Sequence, residues 1–217
     1  MRAGAGGVCL LPPRVDAGGD NGGVPLLTGP VVAPGSLARS CQPVLESGDL
    51  VLRPWRAADA PAVAEAYADP GIRQWHVRSM TEDEARTWIA SWPARWARES
   101  GGGWAVTDGS GVLGQISLRH LNLPDGLGEV SYWVLPSARG RRVATRALRT
   151  LSAWAFEHLR LHRIEIAHST RNPASCHVAN NAGYTHEGTK RSEGLHADGW
   201  HDMHLHARLN NDPDPHA

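Results

Sequence analysis

The chain has 217 residues, with 22 basic and 22 acidic side chains and a formal net charge of zero. That size fits one ordinary domain plus an appendage, and the balanced charge argues against a general nucleic-acid or membrane-surface binder, although local arginine clusters can still hold phosphate. No apolar run approaches the roughly 18 residues of a membrane span; the three cysteines, Cys9, Cys41 and Cys176, show neither metal spacing nor a disulfide framework, which makes a reducing cytoplasm the default compartment.

Residues 1 to about 45 are rich in Gly, Pro, Ala and Val and carry no sustained period. Such a segment buries too little surface to offset its ordering entropy. It reads as a disordered leader rather than a signal peptide, with a regulatory arm as the alternative. The folded unit is expected over 46–210, with a flexible tail at 211–217. Leu50–Trp55 reads as a first strand. Asp59 before Ala60-Pro61 predicts an N-cap and a helix to about Ala68. Thr81-Glu82-Asp83-Glu84 is a capping box opening a second helix. Trp88, Trp92 and Trp96 follow at spacing four on one face, and Pro93 should end or kink that helix. Core packing is the simpler reading of this stripe; a lining for an acceptor pocket is the sharper one.

Three strands are expected next, at Gly103–Thr107, Val112–Leu118 and Glu129–Leu135, the first two joined through Asp108-Gly109-Ser110-Gly111. The third runs into a basic turn, Arg139-Gly140-Arg141-Arg142, and then a helix with apolar positions at Ala144, Leu148, Leu151, Ala155 and Leu159. A helix start leaves free N–H groups and the positive end of its dipole, and three arginines reinforce it, so this junction has the chemistry of a diphosphate cradle. Arg163–Ala167 reads as a strand. Asn172-Pro173 opens another helix that Gly183 closes. A hairpin of Thr185–Lys190 and Trp200–Leu209 ends the chain. His204 and His206 share a face of that last strand and can bind a metal; solvated strand histidines are the simpler reading, and no metal is assigned. The order of elements fits a mixed α/β fold with one half-open sheet and helices on both faces.

Gly128-Glu129-Val130-Ser131-Tyr132-Trp133-Val134, followed by Arg139-Gly140-Arg141-Arg142-Val143-Ala144-Thr145-Arg146-Ala147-Leu148, resembles the fourth strand and acetyl-CoA loop of GNAT-superfamily N-acetyltransferases. Leu161-His162-Arg163-Ile164-Glu165, Asn172-Pro173-Ala174-Ser175, Ala182-Gly183-Tyr184 and Glu187-Gly188 are similar to the RimJ/RimL-type branch, which acetylates ribosomal-protein N-termini. The resemblance covers about 48–210 and implies a mostly antiparallel sheet splayed between its fourth and fifth strands. One position departs from it. The family loop usually runs Q/R-x-x-G-x-G/A, and Arg142 stands where glycine is common. A positive φ there would cost about 1 kcal/mol or more; a helical Arg142, the reading preferred here, would carry no strain and add a phosphate contact.

The resemblance implies acetyl transfer from acetyl-CoA to a primary amine, either a protein N-terminus or a small molecule. It places the pantetheine along Trp133, Val134 and Leu135, the pyrophosphate on Arg139, Gly140, Arg141, Arg142, Val143, Ala144 and Thr145, and further cofactor contacts at Asn172 and Ser175. Glu129 is the candidate general base and Ser175 the candidate acid for the leaving thiolate; a surface ion pair and a helix-start hydroxyl are their plain alternatives. Tyr184 is read as packing. Acceptor selectivity is expected from the region of Trp75, His76, Trp88 and Trp92. No nucleic acid or membrane partner is implied, and a homodimer is compatible with the branch. A CoA-binding sensor without turnover is the competing reading.

Overall fold

The structure is a computed structural model, and it describes residues 27–213. Eight strands form one sheet: β1 (Leu45–Ser47), β2 (Leu50–Pro54), β3 (Gly101–Thr107), β4 (Val112–Asn122), β5 (Leu127–Val134), β6 (Arg163–Ser169), β7 (Thr185–His196) and β8 (Gly199–Leu209). Their spatial order is β1-β2-β3-β4-β5-β6-β8-β7. Every neighbouring pair is antiparallel except β5 and β6. Those two pair in parallel only at Leu127–Glu129 against Arg163–Glu165. Beyond Glu129 they diverge, while β4 stays paired with β5 as far as Val134. The sheet therefore opens at its centre, as the resemblance implies.

Strand alternation puts two apolar clusters on opposite faces of the sheet. Leu52, Trp104, Val106, Ile116, Leu118 and Val130 pack under α5 (Val143–Glu157), which contributes Leu148 and Leu151. On the other face, Trp133 meets α1 (Ala60–Ala68), α2 (Pro70–His76) and α3 (Glu82–Ala90) through Val63, Ile72 and Ile89. Gly103 in β3 is required by that second face, because a Cβ there would stand 2.4 Å from the Trp92 ring.

The capping box forms as expected: Thr81 Oγ1 accepts the Glu84 N–H and the Glu84 carboxylate accepts the Thr81 N–H. Asp59, in contrast, does not cap α1. Its buried carboxylate takes both guanidinium nitrogens of Arg53, each at 2.7 Å, and the Arg56 N–H. The tryptophan stripe is broken by a new start rather than a kink. Ser91 ends α3, and Pro93 lies in the first turn of α4 (Trp92–Ala97). Trp88 and Trp92 pack together at 5.3 Å between ring centres, but Trp96 joins Trp104 and Trp154 in the other cluster.

The expectation of an unpacked leader up to residue 45 fails for residues 31–44. Val32 and Leu37 belong to the core, at 3% and 1% exposure. The Glu99 carboxylate accepts the N–H groups of Gly35, Leu37 and Ala38. The indole N–H groups of Trp96 and Trp104 donate to the carbonyls of Ser40 and Pro43. Side chains from distant elements thus supply partners that the segment's own composition does not reveal. Residues 1–26 of the proposed leader, Cys9 among them, lie outside the described residues. Cys41 is disulfide-bonded, against the expectation of no disulfide, and Cys176 is a free thiol.

Candidate active site

The opening between β5 and β6 holds a cavity of about 450 Å³. Two elements complete it. One is α5, which begins immediately after the arginine turn; the other is α6 (Pro173–Asn181), whose N-cap Asn172 accepts the Ser175 N–H through Oδ1 at 3.1 Å. Ten of the twelve residues expected to bind the cofactor line the cavity: Trp133, Val134, Arg139, Gly140, Arg142, Val143, Ala144, Thr145, Asn172 and Ser175. Ala144, expected on the buried face of α5, is on this lining instead.

Leu135 and Arg141 do not line it. The Leu135 N–H is spent on the Leu113 carbonyl at 2.9 Å, and its side chain is buried with α1–α3. Arg141 turns outward to Asp108, 2.7 Å away, and this guanidinium together with the Ser110 hydroxyl and N–H holds the Asp108 carboxyl down at about 2. Arg139 also has a carboxylate partner, Asp69 at 2.6 Å, whose pKa it depresses. Only Arg142 of the three has no carboxylate partner among the described residues. Its backbone is left-handed, with φ 57° and ψ 23°, as N-cap of α5. The preference for a helical, unstrained Arg142 is therefore overturned. The chain has to turn from the extended Arg139 into α5 within three residues, and it does so through Gly140 at φ 77° and Arg142. The first N–H groups of the 15-residue α5 have no acceptor within the helix. They add the positive end of its dipole to this end of the cavity.

A second cavity of about 180 Å³ meets the first. Trp75, His76, Tyr132, Asn172 and Ser175 line both. At this junction the Tyr132 hydroxyl and Ser175 Oγ are 2.7 Å apart. Burial pushes the Tyr132 phenol up to about 12, so it is a proton donor at neutral pH. His76 Nε2 is 3.1 Å from the Tyr132 carbonyl, which can only accept, so this nitrogen carries the proton and Nδ1 is bare. Burial lowers the His76 pKa to about 4. Arg78 and Arg119 line the smaller cavity, and among the described residues no carboxylate lines either one.

Glu129 is not at this junction. It sits where β5 still pairs with β6, before the sheet opens. Its carboxylate is 2.9 Å from His120 Nδ1 and 3.8 Å from Arg119, so it reaches the smaller cavity only through that arginine. Tyr184 is a packing residue: it is buried, its hydroxyl is 2.7 Å from Ser152 Oγ, and burial raises its pKa. Trp88 and Trp92 line neither cavity, whereas Trp75 and His76 line both. Glu82 and Asp83 pair with Arg86, and Glu84 serves the capping box. Tyr132 was not singled out from the sequence, although its strand position one residue before Trp133 already placed it at the opening.

A model of the acetyltransferase (GNAT) domain matches residues 49–185. A Bacillus subtilis protein named "Putative ribosomal N-acetyltransferase YdaF" is 32% identical over 124 residues, 57% of this chain and 67% of its own. Among solved structures, a ribosomal L7/L12 alpha-N-protein acetyltransferase, RimL, in complex with coenzyme A superposes with a TM-score of 0.72 at 18% identity, covering 77% of this chain and 98% of that one. Mycobacterium smegmatis RimJ in complex with CoA-disulfide gives 0.69 at 23% identity, covering 77% and 86%. At these identities the two structures speak for the fold.

Proposed function

The chain belongs to the GNAT acetyltransferase family, and from that premise we propose that it moves an acetyl group from acetyl-CoA to a primary amine within a ternary complex. The observation that carries this reading is the cavity in the open sheet, which ends on the bare N-terminus of α5 and Arg142. Arg142 and the N–H groups of Val143, Ala144 and Thr145 would hold the pyrophosphate. Trp133, Val134, Asn172 and Ser175 would hold the pantetheine. Acetyl-CoA supplies the activated thioester; the remaining chemistry belongs to the chain.

The acceptor enters through the smaller cavity. Its neutral nitrogen attacks the thioester carbonyl, the C–S bond breaks, and the sulfur takes a proton from the Tyr132–Ser175 hydroxyl pair. The proton lost by the amine passes to water or to the bare Nδ1 of His76, and solvent returns a proton to the hydroxyl pair. A weak base is adequate for an N-terminal α-amine, whose pKa of about 7.7–8.0 leaves a useful neutral fraction near pH 7. Arg78 and Arg119, with no lining carboxylate, favour an amine carried by a neutral or acid-bearing molecule over a polycation. A protein N-terminus meets that requirement, and the relatives' names support it. A cytoplasmic reaction is part of the same reading.

Calorimetric titration with acetyl-CoA, followed by mass-spectrometric screening of peptides and small amines, tests the proposal. Micromolar binding and acetylated product are expected; no binding at millimolar cofactor defeats it. The lack of a carboxylate at the junction favours one alternative, a CoA-binding sensor, and binding without turnover on any amine would select it.

A further inference from the structure

We propose that His168, Cys176, His204 and His206 form a binding site for a zinc-class divalent metal, under α6 and beside the smaller cavity, whose lining His168 shares. One ligand atom from each residue can be chosen so that all four lie within 4.8 Å of one another. The sheet dictates the grouping. His168 of β6 is registered directly against His204 of β8, and paired antiparallel residues share a face. His206 lies two positions along the same strand and so on the same face. Cys176 reaches this face from the first turns of α6, with its sulfur 3.8 Å from His206 Nε2.

The second observation is a set of unmet nitrogens. His206 is fully buried and His168 is 6% exposed. His168 Nε2 and His204 Nδ1 are buried without a hydrogen-bond partner, and His206 turns its Nε2 to the Cys176 sulfur. Buried polar atoms are rarely left so, and a metal between the His168 and His204 nitrogens and the Cys176–His206 Nε2 pair would be their common partner. The His168 and His206 rings stack 5.1 Å apart, and His168 Nδ1 is engaged with the Ser169 carbonyl at 2.9 Å. That contact leaves Nε2 as the free lone pair and orients the ring, as second-shell bonds do for metal-bound histidines.

Three imidazoles and one thiolate select zinc or a similar borderline ion over calcium or magnesium. Zinc bonds of about 2.0–2.3 Å place tetrahedral donors about 3.6 Å apart. The sulfur–His206 pair is already near that spacing, and small side-chain rotations would close the rest. On binding, the Cys176 S–H bond breaks, its proton leaves to the buffer, and the sulfur's electron pair forms the metal bond; the imidazoles donate as neutral ligands. The bound ion would tie α6, which carries Ser175, to β6 and β8.

The test uses the full chain, stripped with chelator and reloaded with Zn2+ or Co2+. Elemental analysis should give one zinc per chain, and the cobalt form should show a sulfur-to-cobalt charge-transfer band. Cys176→Ser should abolish that band, and both Cys176→Ser and His204→Gln should weaken zinc binding tenfold or more. His177→Gln, an exposed neighbour on α6, should leave it unchanged. A wild-type cobalt spectrum without the thiolate band, wild-type zinc affinity in both cluster variants, or an equal loss in His177→Gln would overturn the proposal. None of these readouts depends on acetyl-CoA, so the site and the acetyltransferase reading stand or fall separately.

Discussion

Replacing Arg142 by glycine should separate two roles that this residue combines. Its left-handed backbone, φ 57°, costs a side-chain-bearing residue on the order of 1 kcal/mol. Glycine removes that strain but returns about 0.4–1 kcal/mol through the greater freedom of the unfolded chain. Folding stability should therefore stay level or rise by up to about 0.6 kcal/mol. Cofactor affinity should move the other way. A lost charge-assisted hydrogen bond to phosphate is worth about 1.5–3 kcal/mol, or roughly a ten- to hundredfold weaker Kd. Denaturant unfolding and calorimetric titration with acetyl-CoA would measure both in one preparation. Arg142→Lys, which keeps the charge and the strain, should retain most of the affinity with no gain in stability. The reasoning is refuted if Arg142→Gly loses more than about 1 kcal/mol of stability, or if it binds acetyl-CoA as the wild type does.

Leu37→Ala should lower stability by about 2–5 kcal/mol, because Leu37 is 1% exposed within the main core; a change below 0.5 kcal/mol in urea unfolding would show that residues 31–44 do not pack as described. Tyr132→Phe and Ser175→Ala should each lower turnover with little change in acetyl-CoA affinity. As hydrogen-bonded partners 2.7 Å apart, they should be non-additive in the double variant, and fully additive losses in kcat would mean two independent roles. His76 gives a pH dependence. Burial holds its folded pKa near 4, below the unfolded value of about 6.5. The unfolded state then binds more protons between those values, so stability falls as pH drops from about 6.5 toward 4, by up to about 1 kcal/mol per pH unit. Chemical unfolding across that range should show a shallower slope in His76→Asn, and an unchanged slope would assign the effect to other groups.

Local sequence revealed the elements whose signals are local. The Thr81–Glu84 box, the Asn172-Pro173 start and the strand-to-turn passage into α5 each depend on residues within a few positions, and all three formed where expected. Even α2 was open to the same reading. Asp69-Pro70 repeats the pattern of Asn172-Pro173, and Asp69 Oδ1 does accept the Ile72 N–H at 2.9 Å; Gly71, next to Pro70, is a turn signal that competes with it. What sequence concealed is pairing across distance. Arg139 and Arg141 look equivalent to Arg142 in a basic turn, yet Asp69 and Asp108, from elsewhere in the chain, pair with them, and Arg141 leaves the cavity lining. Residues 31–44 fail every periodicity test and still order, because Glu99, Trp96 and Trp104 provide their hydrogen-bond partners.

The position of Glu129 follows from the same geometry. A glutamate at the start of the strand that feeds the loop is close in sequence to the candidate cofactor site, and sequence distance alone invites the assignment. The deciding quantity is where β5 and β6 part. They remain hydrogen-bonded through Glu129 and separate only afterwards, so the first side chains that can face the opening are those from Val130 onward. Three residues of strand advance the chain by about 10 Å, which is the interval between an ion pair at the closed end and a phenol at the junction. Tyr132 occupies that later position, and its partner Ser175 arrives from α6 on the far side of the opening. The position of this hydrogen-bonded pair is thus set by the length of the parallel ladder, a feature of strand register that no local motif in β5 encodes.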